Sequence, residues 1–280
     1  MGLIYYKNVK KMTNIEIGPS GLGSVEESGK VLEEYSKKGF GNCEVLFVQQ
    51  VYMNKEQAEK IGKIAKENKI NLSIHAQYFI NLNSEEKEKV HASMQRILKC
   101  CEIGHTLGAK NIVFHSGFYG KDFAKAKTLE EKKKVEEETY QNIKKRVIEM
   151  MEVIKEKKWN VKLCPETMGK INVFGSVEEI SRLVKETGCS FCIDFAHILA
   201  RYKKVDYEKV KKLFPEKEWH CHFSGIEYGE KGEKNHIDLK KEEWKELFEN
   251  LPKDKDITIV CESPGRIGNC VEGLEILNNK

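Results

Sequence analysis

Six apolar segments each end in a side chain that can ligate a metal. NLSIHA carries His75, NIVFHS His115, VKLCPE Glu166, SFCIDF Asp194, WHCHFS His222 and ITIVCES Glu262. His197 follows Asp194 by three residues, and His236 lies further on in GEKGEKNHIDL. Taken singly, a His at a strand end is more often a hydrogen-bonding residue than a ligand. A Glu after an apolar run is more often a helix cap or an ion-pair partner. The set as a whole resists that explanation. Three carboxylates and several imidazoles gathered at one place are costly to bury without a compensating charge, and a divalent cation is that charge. Imidazole nitrogen mixed with carboxylate oxygen suits Zn²⁺ first, then Mn²⁺ or Fe²⁺.

Other residues rank lower. His220 and His222 lie two apart on one run and so face the same side; the FSG that follows makes His222 the rim candidate and His220 a residue of the interior. His91 and His105 fall on a helical stretch and read as solvated or packing residues. Cys164, Cys192, Cys221 and Cys261 sit within the apolar runs and read as small core residues. Cys189 and Cys192 form a single C-x-x-C, which without a second pair is weak evidence for a cysteine-bound zinc. No G-x-S-x-G supports a serine nucleophile. The segments VQQVYMN and AQYFINLN carry Gln49, Gln50, Tyr52, Tyr78 and Phe79, side chains able to stack on bases or fill a gap in a base stack. Packing beneath the loops is the equally weighted alternative.

The elements that must position these residues follow from the patterning. To the six runs above are added NIEIG (14–18) and CEVLFV (43–48), making eight short β-rich segments. Between them lie amphipathic helical stretches over 25–39, 55–69, 84–108, 128–158, 176–187, 205–214, 240–250 and 270–278. Strand and helix in alternation imply a parallel sheet. Eight such units in 280 residues imply a closed (β/α)₈ TIM barrel, an α/β fold. The alternative, a doubly wound open sheet, usually shows a glycine fingerprint after its first strand, and GPSGLGS (18–24) does not fit one. No compositional break divides the chain, so one domain is expected over 1–280, with 1–13 as an N-terminal extension. In such a barrel the active site lies where the strands end, so the candidate ligands share one rim.

Composition sets the outer limits. With 40% hydrophobic and 33% charged residues the chain is neither fibrous, disordered nor a disulfide scaffold. It has no apolar run of about 18 residues, so no membrane span is expected, and its first residues make a poor signal peptide. Nine scattered cysteines point to free thiols in a reducing, cytoplasmic compartment. The net charge of +4 permits nucleic-acid binding without arguing for it.

The motifs IHAQYFINL, VFHSG, CPETMGK, CIDFAHILA, HFSG and CES, in this order along nearly the whole chain, resemble endonuclease IV. This is the metal-dependent apurinic/apyrimidinic endonuclease family of the xylose-isomerase-like TIM barrels. The resemblance implies a (β/α)₈ barrel with a zinc cluster of two or three ions. His75, His115 and Glu166 would hold one ion. Glu166 would bridge to a second, held also by Asp194, His222 and Glu262. His197 and His236 would hold a third. Glu262 and Glu166 would position the attacking water, and Tyr78 matches the aromatic that the family inserts into DNA.

The implied activity is hydrolysis of the phosphodiester 5′ to an abasic site in double-stranded DNA, leaving a 3′-hydroxyl and a 5′-deoxyribose phosphate. The protein would act as a monomer. One departure stands out: where the family has an Asp two residues before the His that matches His236, this chain has Lys234. Glu233 or Asp238 could take that place. The loop after the second strand also differs from the family's. A rival resemblance is to the metal-dependent sugar isomerases and epimerases of the same barrels, which use a set like Glu166, Asp194, His222 and Glu262. A barrel that kept its metals and lost its activity is the third possibility.

Overall fold

A computed structural model describes residues 14–279; the expected N-terminal extension, 1–13, lies outside them. Eight parallel strands form the barrel: β1 (Asn14–Pro19), β2 (Asn42–Leu46), β3 (Asn71–His75), β4 (Asn111–Phe114), β5 (Lys162–Pro165), β6 (Ile193–Asp194), β7 (Glu218–Phe223) and, eighth in the ring, β10 (Asp256–Cys261). They are laddered as β2-β3-β4-β5 and β6-β7-β10-β1. Two single parallel bridges, Ser20 to Glu44 and Glu166 to Cys192, join these arcs into a ring. The strands read as apolar runs, without alternation, because both faces are covered: side chains fill the barrel inside and helices cover it outside. Ile17, Val45, Ile74, Ile112, Ile193 and Ile259 are all fully buried.

The outer helices are α1 (Ser28–Lys37), α2 (Lys55–Glu67), α3 (Lys87–Leu107), α4 (Lys121–Lys125), α5 (Leu129–Glu156), α6 (Val177–Thr187), α7 (Phe195–Tyr202), α8 (Tyr207–Leu213), α9 (Lys241–Asn250) and α10 (Arg266–Asn278). Capping boxes at Asn54/Gln57, Thr128/Glu131 and Ser176/Glu179 start α2, α5 and α6 by satisfying otherwise orphaned amides. Gly108 and Gly188 end α3 and α6 in the left-handed conformation. Ser84, expected to begin the third helix, instead accepts from the Glu86 amide in the turn before α3.

Two helices and a two-stranded hairpin were not expected. Helix α4 is a short extra turn. Helix α7 begins directly after β6, because Asp194 Oδ1 accepts from the His197 amide at 2.7 Å and so caps it. The strand expected over 190–195 therefore shortens to two residues. The stretch expected as a loop after the seventh strand folds into an antiparallel hairpin, β8 (Gly225–Gly229) with β9 (Gly232–Ile237).

The seam between β1 and β2 is tight. The Asn42 side-chain amide donates to Glu16 O at 3.0 Å and to Ile259 O at 3.2 Å, tying β2 to β1 and to β10. A Cβ on Gly18 would stand 1.7 Å from the Asn42 carbonyl oxygen. Gly18→Ala is therefore expected to force the seam apart and cost about 1–3 kcal/mol, the usual range for overpacking. A thermal melt should show this as a loss of several degrees, and an unchanged melting temperature would contradict it.

Candidate metal centre

The strand ends deliver their polar residues to one rim. His75 closes β3; His115 and Glu166 follow β4 and β5 directly; Asp194 closes β6; His222 lies on β7; Glu262 follows β10. His197 occupies the first turn of α7, and His236 lies on β9. Four groups bring their ligand atoms within 4.8 Å of one another: one inside the barrel, Cys192, His220 and His222, and three that overlap at the rim, His75, His115 and Glu166; Glu166, Asp194, His222 and Glu262; and Asp194, His197 and His236. All eight residues expected as ligands are among them.

Glu166 is the hub. Four imidazoles converge on its carboxylate: His75 Nε2 at 3.4 Å, His115 Nε2 at 3.1 Å, His197 Nδ1 at 3.2 Å and His222 Nδ1 at 3.3 Å. Yet neither Glu166 oxygen has a hydrogen-bond partner, and the same holds for Asp194 Oδ2 and both nitrogens of His222. Buried polar atoms are rarely left so. A tetrahedral ion bonded at about 2.0–2.1 Å would hold its ligand atoms about 3.4 Å apart. The orphaned atoms and their spacing fit divalent cations.

Ring orientation is prepared for that role. His75 Nδ1 lies 2.8 Å from the Ala76 carbonyl, so it donates there and leaves Nε2 facing Glu166. His197 Nδ1 lies 3.0 Å from the Thr167 carbonyl, leaving Nε2 facing His236 Nε2 at 3.4 Å. Electrostatics follow burial and proximity. Burial opposes charge on Glu166, but the surrounding imidazoles hold its carboxyl well below the usual range. Burial likewise opposes charge on His75, and its contact with Glu166 outweighs that and lifts it to about 9. Burial, with Glu166 and Glu262 adding to it, pushes Asp194 upward. Histidines so lifted must release protons when an ion binds.

The Lys234 departure has a structural resolution. Hairpin pairing runs Ile226 with His236, Glu227 with Asn235, then Tyr228 with Glu233, so Lys234 is the extra residue of a bulge. Because Ile226 and Tyr228 share a face, the bulge carries Glu233 to the side of His236. Glu233 Oε2 stands 3.5 Å from His197 Nε2. Asp238, the other candidate, is turned away and accepts from the Gly265 amide at 2.6 Å.

A cleft of about 610 Å³ opens over the centre, lined by His75, Tyr78, His115, Phe118, Glu233 and Glu262 among others. Tyr78 stands 56% exposed at its edge, stacked on His115 at 5.8 Å. Phe79 and Phe118 are also exposed, and Arg96 lies 5.0 Å from the Phe79 ring centroid. Gln49 and Gln50 are exposed on the loop after β2 and do not line the cleft. Tyr52 packs edge-on against Phe47 at 5.1 Å. His91 and His105 are exposed on α3. All nine cysteines are free and buried.

Sequence reading missed Glu44. It points into the barrel from β2, fully buried, with Oε1 3.0 Å from His222 Nε2 and Oε2 3.3 Å from His220 Nε2. A charged residue interrupting an apolar strand was the available signal.

Comparison with known proteins agrees with this architecture. Residues 32–280 match the model of the xylose isomerase-like TIM barrel family, and the chain belongs to that family. The uncharacterized protein MJ0133 of Methanocaldococcus jannaschii is 36% identical over 257 residues, covering 86% of this chain and 88% of that one. Among solved structures, SacUVDE has a TM-score of 0.69 at 14% identity, covering 96% of this chain and 98% of its own. Endonuclease IV from Thermus thermophilus has 0.66 at 16%, covering 94% and 98%. A D-tagatose 3-epimerase-like protein has 0.67 at 18%, covering 94% and 96%. At these identities the likenesses show a shared fold, and they fall on both endonucleases and sugar epimerases. No helix among the described residues is long and apolar enough to cross a membrane.

Proposed function

We propose that the protein is a metal-dependent phosphodiesterase that nicks double-stranded DNA 5′ to abasic sites, leaving a 3′-hydroxyl and a 5′-deoxyribose phosphate. The observation that carries this reading is the chain of three overlapping ligand groups at the rim, the first sharing Glu166 with the second and the second sharing Asp194 with the third. Proton transfer on a sugar needs one ion beside two carboxylates. In-line displacement at phosphorus benefits from several ions that neutralise both the attacking and the leaving oxygen.

The ligand sets suit Zn²⁺, with Mn²⁺ or Fe²⁺ as substitutes. His75, His115 and Glu166 would hold one ion, Glu166, Asp194, His222 and Glu262 a second, and His197, His236 and Glu233 a third. Such ions supply Lewis acidity toward the phosphate and lower the pKa of water. The chain's own residues do the rest. Glu166 is shared between neighbouring ligand groups and fixes their spacing. Glu262, the one carboxylate of its group that reaches the cleft wall, orients water there and accepts its proton. Tyr78, with Phe79 and Phe118 exposed near it, offers aromatic faces to a duplex where a missing base leaves a gap. An abasic nucleotide costs little to swing out of the stack, and that selects the lesion.

The test is incision of a labelled duplex carrying one stable abasic analogue, beside an undamaged duplex. Protein loaded with Zn²⁺ or Mn²⁺ is expected to nick only 5′ to the lesion. Stripping with a chelator should abolish nicking, and adding the ion back should restore it. Failure of fully loaded protein to nick would overturn the reading. The second reading, a sugar epimerase, is favoured by the group Glu166, Asp194, His222 and Glu262, which alone could serve that chemistry, and by the likeness to the D-tagatose 3-epimerase-like protein. Ketose and aldose substrates would then be the next assay.

A further inference from the structure

We propose that Glu44 is a positioning residue for the metal centre: from inside the barrel it fixes which nitrogen of His222 carries the proton and so makes the other available as a ligand. The proposal rests on the metal-centre reading of the site and not on the choice of substrate.

His222 differs from the other buried imidazoles. For His75 and His197 a backbone carbonyl receives the Nδ1 proton. The His222 ring is turned the other way. Its Nδ1 faces the ligand cluster, 3.3 Å from Glu166 Oε1 and 3.4 Å from Glu262 Oε1. Its Nε2 points down into the barrel, where Glu44 Oε1 waits at 3.0 Å. A neutral imidazole carries one N–H, and the group beside one nitrogen decides the state of the other. With an acceptor-only carboxylate under Nε2, the proton belongs there and the Nδ1 lone pair belongs to the ion. The contact is close, at 3.0 Å, though off hydrogen-bond alignment.

Glu44 is itself held in place. Its Oε2 accepts from Ser73 Oγ at 2.8 Å and faces His220 Nε2 at 3.3 Å. No Lys or Arg among the described residues is paired with it. A fully buried carboxylate without a cation is expensive, and an apolar side chain of similar volume would serve packing better. Its position beneath a ligand supplies the reason for its presence: carboxylates behind metal-bound histidines set ring orientation and raise ligand basicity. His220, whose Nδ1 has no partner, lines a separate cavity of about 290 Å³ at the opposite end of the barrel, with Asn42 and Ser73. It thus supports Glu44 from the far side and does not reach the rim.

Two readouts test this, neither requiring a substrate. The first is the state of the His222 ring in the Zn²⁺-loaded protein, read from long-range ¹⁵N–¹H correlations, because without an ion the carboxylates on both sides favour a proton on each nitrogen. The proton is expected on Nε2 in the wild type and redistributed in Glu44→Leu. The second is Co²⁺ affinity by chelator competition, with the visible spectrum of the bound ion as a signature of its geometry. Glu44→Leu and Glu44→Ala are expected to bind roughly 10–100-fold more weakly at the His222 site, with an altered spectrum. Glu44→Gln, whose amide oxygen can still accept from Nε2, should recover part of the loss. This isosteric variant keeps the test open if the others fail to fold. Wild-type affinity and spectrum in Glu44→Leu, or a proton found on Nδ1 in the wild type, would overturn the proposal. Absence of Co²⁺ binding by the wild type would overturn the metal-centre reading and this proposal together. Failure to nick DNA with both Glu44 readouts as expected would overturn the nuclease reading alone.

Discussion

Glu166→Gln is expected to lower incision of an abasic duplex by on the order of a thousandfold or more, and to cost the protein about two bound ions instead of one. The argument is the position of this side chain between neighbouring ligand groups. His75 and His115 reach one carboxylate oxygen and His197 and His222 the other, all within 3.1–3.4 Å. An amide preserves shape but presents a single weakly ligating oxygen, and its NH₂ faces either His222 Nδ1 or the Nε2 atoms of His75 and His115, nitrogens meant to share a cation. Metal ions supply several kcal/mol of transition-state charge stabilisation, and about 1.36 kcal/mol is a factor of ten in rate, so losing part of a cluster reaches the thousandfold range. Elemental analysis of the purified variant, paired with the incision rate, checks both halves. A variant that keeps its full metal content and nicks within tenfold of the wild type would show that Glu166 is not shared between ions.

The ease with which this centre could be read from sequence has a physical origin. A barrel strand is covered on both faces, so it is written in apolar residues. Where the strand reaches the open rim the constraint ends, and a ligand type such as His75, Glu166 or Glu262 stands out against the run before it. The same contrast marked the eight strands and the spacing between them. It failed where the contrast was absent. The β8–β9 hairpin, IEYGEKGEKNHI, stands over the rim with polar residues on both faces, so no alternation announces it. Helix α7 was hidden because Asp194 ends the strand and caps the helix with one side chain, leaving no linker to notice. Glu44 was passed over because one charged residue inside CEVLF looks like noise until the histidines of β7 are placed across the barrel from it. Glu233 could be named as a substitute for the missing Asp, but only the bulge at Lys234 distinguishes it from Asp238.

His115→Ala separates the two proposed readings of the site. His115 serves the first ligand group and takes no part in the group of Glu166, Asp194, His222 and Glu262. Its side chain is 22% exposed on the cleft wall, so truncation leaves water, and not a dry cavity, in its place. The fold should tolerate the change apart from the loss of stacking against Tyr78. If several ions act together on a phosphate, removing this imidazole should weaken one ion and lower the incision rate by roughly 10²–10³-fold, the scale seen when one preorganised electrostatic contact is lost. One ion should still be bound by the remaining group. If the protein instead moves a proton on a sugar beside a single ion, that same remaining group is sufficient and His115→Ala should turn over within a few-fold of the wild type. Metal content measured alongside turnover on both substrate classes gives different results for the two mechanisms. A variant that binds one ion, no longer nicks DNA and never acted on sugars agrees only with the nuclease. A variant whose incision rate is unchanged would mean that the first ligand group contributes nothing to the reaction, and the argument from overlapping groups would fall with it.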